Sequence, residues 1–248
     1  MARRPASRNT PATPTPRPRG NQTGVGSGAG DGDRDRIIEA FMALLAEKPI
    51  EEVSLLDIAT RANLSLAQLR DAFGSPLAIL AAHVKDIDRA VLAGGDDDMT
   101  EEPPRERLFD VLMRRLEAMD DDKAAIGSLM RSACRNPGLA LVLNGLAVES
   151  QQWMLTAAGI AAAGPKGMVR AQGLALLYAR VLRTWVNDDD PGLARTMAAL
   201  DRELARGQRW SGFLDDLCTF APGRCLSRRA RRRARDDDTG EEAVATGV

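Results

Sequence analysis

Apolar residues recur at helical spacing along most of the chain, and no segment sustains the two-residue alternation typical of strands. The first periodic segment, 33–47, ends before Pro49 and is predicted to be a helix. After a short, more complex stretch, Pro76 suits the first turn of a helix that runs to about Leu92. The pattern favours an all-α protein.

Residues 53–76 contain two short periodic segments, each opened by a serine. Ser54 is followed by Asp57, and Ser65 by Gln68, which is the spacing of a capping box. Asn63 lies between the segments, where a tight turn needs a residue that tolerates the left-handed region. The spacing therefore predicts a helix-turn-helix. In its second helix we expect Leu66, Leu69 and Phe73 to face inward, and Ala67, Gln68, Arg70 and Asp71 to face outward.

The second half of the chain contains further amphipathic segments after an acidic loop at 94–104, which we take as the domain boundary. Helices are predicted over 105–119, from the Asp run at 120–122 to about 135, over 137–162 and over 168–186. Another is predicted to begin at about 191 and to contain 193–204, and a short one covers 210–220. Asp runs at 120–122 and 188–190 precede predicted helices, where carboxylates favour the helix dipole, and are expected to be caps or solvated loops. The predicted domains are 33–93 and 104–221, between tails at 1–32 and 222–248 whose composition favours disorder.

Charge is segregated along the chain, although the net charge is only −1. Residues 1–32 carry five arginines and one acid, and 228–235 carry six arginines. Residues 33–75 contain eight acids and five bases. Because Lys and Arg supply non-specific phosphate affinity, this acidic balance opposes strong binding of nucleic acid by the helix-turn-helix alone. The basic first tail is either a solubilising segment or an arm that contacts DNA.

Motifs of catalysis are missing from the sequence. It has no nucleophile elbow, phosphate loop or dinucleotide fingerprint, and its Asp runs lack calcium-loop spacing. Cys134, Cys218 and Cys225 have no metal-binding spacing, and their odd number does not favour a disulfide framework. No apolar run is long enough to span a bilayer, and no secretory signal opens the chain. We therefore expect a cytoplasmic protein that is not an enzyme and needs no cofactor or metal.

The helix-turn-helix resembles the DNA-binding domain of the TetR (tetracycline-repressor) family over about residues 34–92. The matching residues are Ile37, Ala40, Phe41, Leu44, Leu55, Ile58, Ala59, Leu64, Ser65, Phe73 and Leu80. Three positions depart from the family pattern: Asn63 replaces a turn glycine, Arg70 a phosphate-contacting tyrosine, and Pro76 a DNA-contacting lysine. A helical domain that keeps this scaffold without binding DNA stays an open alternative.

The TetR resemblance implies a transcriptional regulator, most simply a repressor, that binds an operator in double-stranded DNA as a homodimer and responds to a ligand. The implied DNA-facing residues are Ser54, Ser65, Ala67, Gln68 and Arg70. The amide of Gln68 can pair with adenine, and Arg70 can contact phosphate or guanine. The dimer is expected to form through the apolar seams of 168–186 and 193–204.

The C-terminal half also resembles the coenzyme-Q-biosynthesis accessory proteins, a lipid-binding family with a TetR-like fold. The matching stretches are 105–115, 153–159 and 182–190. This resemblance implies an alternative function: a non-enzymatic accessory protein that binds a lipid or isoprenoid and touches a membrane weakly through 210–220. The residues expected to line an apolar pocket, or simply to form the core, are Trp153, Met154, Ala158, Leu177, Tyr178, Leu182 and Trp185.

Overall fold

The structure, a computed structural model, describes residues 27–95 and 101–219, and side-chain surroundings for 30–95 and 101–207. Every regular element within these ranges is helical. The α-helices are α1 (Ser27–Glu47), α2 (Leu55–Arg61), α3 (Leu66–Ala72), α4 (Pro76–Ala93), α5 (Pro104–Glu117), α6 (Lys123–Arg135), α7 (Pro137–Ala157), α8 (Gly164–Trp185) and α9 (Ala194–Thr219). Single 3-10 turns, Ile50–Glu52 and Asp120–Asp122, precede α2 and α6. The prediction of an all-α fold is confirmed.

Several helix ends follow directly from local sequence. Asn136 accepts a hydrogen bond from the Leu139 amide at 3.1 Å and caps α7, which begins at the next residue, a proline. The carboxylate of Asp188 accepts bonds from the Thr196 amide and hydroxyl at 2.9 and 2.6 Å, and thereby holds the start of α9. These hydrogen bonds lower the pKa of Asp188. By contrast, the predicted cap at 120–122 is wrong, because these residues form a turn whose last aspartate makes no capping bond.

Other predicted boundaries are corrected by the structure. Helix α1 begins at Ser27 rather than near residue 33, because a helix that is already formed can be extended without the free-energy cost of nucleation. Helix α7 ends at Ala157 rather than 162, because Gly159 adopts a left-handed φ of 70° and closes the helix. Helix α8 begins at Gly164, four residues earlier than predicted. The separate helix predicted at 210–220 is wrong over 210–219, which continue α9; its apolar side chains and residue 220 lie outside the described residues.

Two apolar cores lie along the molecule, one under the helix-turn-helix and one in the C-terminal half. We call α1–α4 the head and α5–α9 the body. The head core joins buried residues of α1, α2, α3 and the first half of α4, but it also includes Ala125 and Leu129 of α6. The body core includes Ile87 and Val91 from the second half of α4. Helix α4 therefore belongs to both cores. Of the helices described, none combines the length and apolarity needed to cross a bilayer.

Candidate nucleic-acid interface

Two capping boxes shape the helix-turn-helix. The Ser54 hydroxyl accepts the Asp57 amide at 3.1 Å, and the Asp57 carboxylate accepts the Ser54 amide at 3.0 Å. The same reciprocal pair forms between Ser65 and Gln68, at 3.2 and 3.0 Å. Asn63 has a φ of 54°, so the turn uses the left-handed residue predicted for it. Each helix thus begins at the residue directly after its capping serine.

Helix α3 is anchored by one side and exposed on the other. Leu69 is 2% exposed, and Leu64 and Phe73 pack partly buried against the same head core. The predicted outward residues Ala67, Gln68, Arg70 and Asp71 are exposed. The prediction for Leu66 is wrong: its side chain is 51% exposed, because it lies in the first turn, beyond the reach of the head core.

The polar groups of the exposed face already make bonds within the protein. The Gln68 side-chain oxygen accepts from both the amide and the hydroxyl of Ser65, the latter at 2.8 Å. Arg70 donates to the carbonyl of Gly74 at 3.2 Å, at an exposed position. Gln68 must therefore break its capping bond to pair with a base through both amide atoms, whereas Arg70 can leave a solvent-exposed carbonyl at little cost.

Cations near the helix-turn-helix are engaged by acids. Lys48 Nζ lies 2.8 Å from the Asp57 carboxylate, and Arg61 lies 2.7 Å from Glu47. The hydrogen bond from Lys48, together with those from Ser54, lowers the pKa of Asp57 to about 2. Large apolar side chains are exposed at the first turns of the two helices, namely Leu55, Leu56 and Leu66. This surface has few unpaired cations for phosphate contact.

The seven residues predicted to line a ligand pocket do not share one environment. Trp153 is 54% exposed on α7, whereas the other six are buried or partly buried. Leu182 is partly buried and packs against the body core. The remaining five are buried members of that core: Met154, Ala158, Leu177, Tyr178 and Trp185. A concavity of about 700 Å³ lies between the end of α7 and the start of α8, where other residues, Gln152, Ala162 and Met168 among them, line it.

A buried polar cluster, which the sequence analysis missed, lies inside the body. Arg115 donates to the Asp88 carboxylate, and Ser150 donates to the same oxygen at 2.8 Å. The Arg115 guanidinium also lies 5.8 Å from the ring centroid of Tyr178, a cation–π contact. Burial raises the pKa of the Tyr178 hydroxyl, against the opposing charge of Arg115. A sequence signal existed: Asp88 and Arg115 fall within the apolar stripes of their helices.

The outer face of α8 is apolar and open. Val169 and Leu176 are about half exposed, and Gly173 between them has nothing within 4 Å of a Cβ position. Arg180, one turn further, pairs with Glu203 of α9 at 3.4 Å. Met197 of α9 is also exposed. A stripe of this kind, with a small residue at its centre, suits close packing against another helix.

Some solved protein structures resemble this architecture. No protein-family profile and no curated protein matches the chain. Among solved structures, a TetR transcriptional regulator from Nitrosomonas europaea ATCC 19718 is similar at 21% identity, with 71% of this chain and 97% of that chain covered and a TM-score of 0.56. Another, from Rhodococcus sp. RHA1, has 21% identity, covers 71% and 96%, and has a TM-score of 0.50. The described helices of this chain therefore have the all-α, TetR-like fold.

Proposed function

We propose that the protein is a TetR-type transcriptional regulator that binds operator DNA as a homodimer, with α3 as its recognition helix. The observation that carries the proposal is the pair of capping boxes around a left-handed Asn63. This geometry presents an exposed α3 on a scaffold held by Leu69, which is how a recognition helix is offered to the major groove.

The role of each exposed side chain depends on which of its present hydrogen bonds it must lose to contact DNA. Arg70 needs to lose only a bond to an exposed carbonyl, so we assign it the main contact, to guanine or phosphate. Ala67 and Leu66 offer apolar contacts to thymine methyl groups. Gln68 serves first as a cap through its side-chain oxygen, and its amide nitrogen, which donates to the Asp33 carboxylate at 3.5 Å, would have to leave that acid to donate to a base. Ser54 and Ser65 cap the two helix starts, where a phosphate can approach the first-turn amides that the capping boxes leave open.

Genomic fragments selected by the purified full chain, followed by footprinting and a salt titration, would test DNA binding. Arg70→Ala should weaken specific binding by about 5- to 150-fold, the cost of about 1–3 kcal/mol for a base-contacting arginine. Arg89→Ala is the matched control, because Arg89 is an exposed arginine on α4 paired with Asp86 at 2.9 Å. Binding equal on all sequences, or an Arg89 effect as large as that of Arg70, would contradict the assignment.

We assign the homodimer to the open faces of α8 and α9, because the seam residues expected from the sequence, Ala171, Leu200 and Leu204 among them, are buried in the body core. Half-exposed Val169 and Leu176 flank Gly173, so two copies can approach closely along this stripe. Sedimentation should give twice the chain mass at micromolar concentration, and Leu176→Lys should yield monomers. Leu141→Lys, which changes an exposed leucine of α7, should leave the dimer intact. A monomeric parent protein would contradict the proposal.

The proposal also includes a response to a ligand and repression of transcription as the outcome of DNA binding. An apolar effector is supported by the concavity beside α8, where Met168 and Ala162 provide an apolar wall. Mass spectrometry of the purified protein for co-purifying lipids, with thermal shifts against apolar compounds, tests this part. No bound lipid and no shift would contradict it. The accessory role in coenzyme-Q biosynthesis and the membrane contact through 210–220 stay predictions from the sequence.

A further inference from the structure

A groove of about 530 Å³ lies where α1, α4 and the turn before α6 meet. Its floor is apolar, with Ile38, Met42 and Ala46 of α1 and Ala125 of α6. Its lining includes five acids, Asp35, Glu39, Asp86, Asp121 and Asp122. An apolar floor under an acidic rim fits a long cationic side chain, because an alkyl stem can lie on the floor while its charged end meets the carboxylates.

Part of this negative charge has no partner within the described residues. Asp122 lies 2.9 Å from His83, and Asp86 lies 2.7 Å from Arg34. Glu39 and Asp121, which are exposed, make no ion pair in the part of the chain that the structure describes. The groove can therefore accept additional positive charge at two carboxylates without displacing an existing pair.

The chain itself supplies a matching cationic segment. Residues 1–26 contain five arginines and no acid. They lead directly into α1, the helix that forms the floor of the groove and carries Asp31, Asp35 and Glu39 at four-residue intervals along one face. The other arginine-rich segment, 228–235, is followed at once by Asp236, Asp237 and Asp238, so its charge is partly balanced locally.

The reach of this segment agrees with its attachment point. Glu39 lies twelve residues into α1 from Ser27, or about 18 Å along the helix axis at about 1.5 Å per residue. Arg17 and Arg19 precede Ser27 by ten and eight residues, which extend up to about 26–36 Å. Both arginines can therefore reach Glu39, and with it the groove that Asp121 also lines, when the segment folds back along α1.

We propose that residues 1–26 dock in this groove of the same chain, with Arg17 and Arg19 against Glu39 and Asp121 and the ring of Pro18 between them on the apolar floor. Arginine suits the site because its guanidinium is weakly hydrated and forks onto carboxylates. The contact does not depend on whether the protein binds DNA. It places the arginines of the first segment on the head rather than leaving them available to other partners.

Photocrosslinking in the full chain, without DNA, tests the proposal. Thr15→p-benzoylphenylalanine places a reactive group two residues before Arg17, and Met42 in the groove floor is a favourable target. Three proteins are compared after irradiation and peptide mapping: the parent, the groove variant E39K/D121K, and the control E52K/E149K. The control makes the same charge change at exposed acids outside the groove lining. Thermal melting confirms that all three fold.

The parent and the control should give crosslinks within the groove. In E39K/D121K the crosslink yield should be lower by about fivefold or more, because two exposed charge contacts are lost. Sodium chloride at high concentration should reduce the parent yield as well. The proposal is overturned if the parent crosslinks elsewhere, if the groove variant and control behave alike, or if a mixture of light and isotopically heavy chains gives crosslinks only between copies.

Discussion

Replacing Arg115 by methionine should destabilise the protein by about 3–5 kcal/mol, because the change leaves a buried carboxylate without its cation. Arg115 and Asp88 are 5% and 7% exposed, and the carboxylate would keep only the hydroxyl of Ser150 at 2.8 Å. The cation–π contact with Tyr178 would be lost too, at about 0.5–2 kcal/mol within that total. Removing both charges, in Asp88→Leu with Arg115→Met, should restore most of the stability, since no uncompensated charge remains.

Urea unfolding followed by circular dichroism measures these free energies, provided that the slope with urea is the same for each variant. Arg89→Met is the matched control, because the Arg89 side chain is 69% exposed and its ion pair should contribute under about 1 kcal/mol. The reasoning would be refuted if Arg115→Met cost less than about 1 kcal/mol, or if the double variant were as unstable as the single one.

Four further substitutions test the local geometry. The pKa of Asp57 is lowered to about 2 from 3.8, so its contribution to stability is full above 3.8 and lost as pH falls toward 2; an NMR titration should show this midpoint, and Lys48→Met should raise it. Asn63→Gly should raise the unfolding free energy by about 1 kcal/mol or less, because Asn already tolerates the left-handed φ of 54° and glycine removes only the remaining steric cost; a lower melting temperature would contradict this. Gly167→Ala should destabilise strongly, since its Cβ would lie 2.1 Å from backbone atoms, whereas Gly145→Ala should stabilise by about 0.5–1 kcal/mol; equal melting temperatures would contradict this pair.

The sequence was sufficient where structure depends on neighbours in the chain. Ser54 with Asp57, Ser65 with Gln68, and Asn63 between them determine both helix starts and the turn through bonds that span three residues or fewer. The helical fold follows from the apolar periodicity for the same reason. The end of α7 at Ala157 was also readable from Gly159, but the apolar pattern beyond it gave a longer prediction.

What the sequence could not supply depends on contacts between distant segments. The partner of Arg115 lies 27 residues away, and that of Ser150 is 62 residues away, so their shared carboxylate appears only when α4, α5 and α7 pack together. Periodicity identified the apolar residues near Trp185 without showing whether they enclose a pocket or fill a core. The exposure of Leu66 likewise depends on how far the head core extends.

The contact of α6 with the head limits how this protein can be recombined with others. Ala125 and Leu129 of α6 complete the head core, and Ser132 donates to Glu51 at 2.8 Å across the same junction. A chimera joined at the loop after α4 would graft the helix-turn-helix without these residues and expose apolar surface of α1. Exchange of DNA-binding modules would therefore have to carry α6 along, so the unit that can be inherited or engineered as one piece extends at least to Arg135.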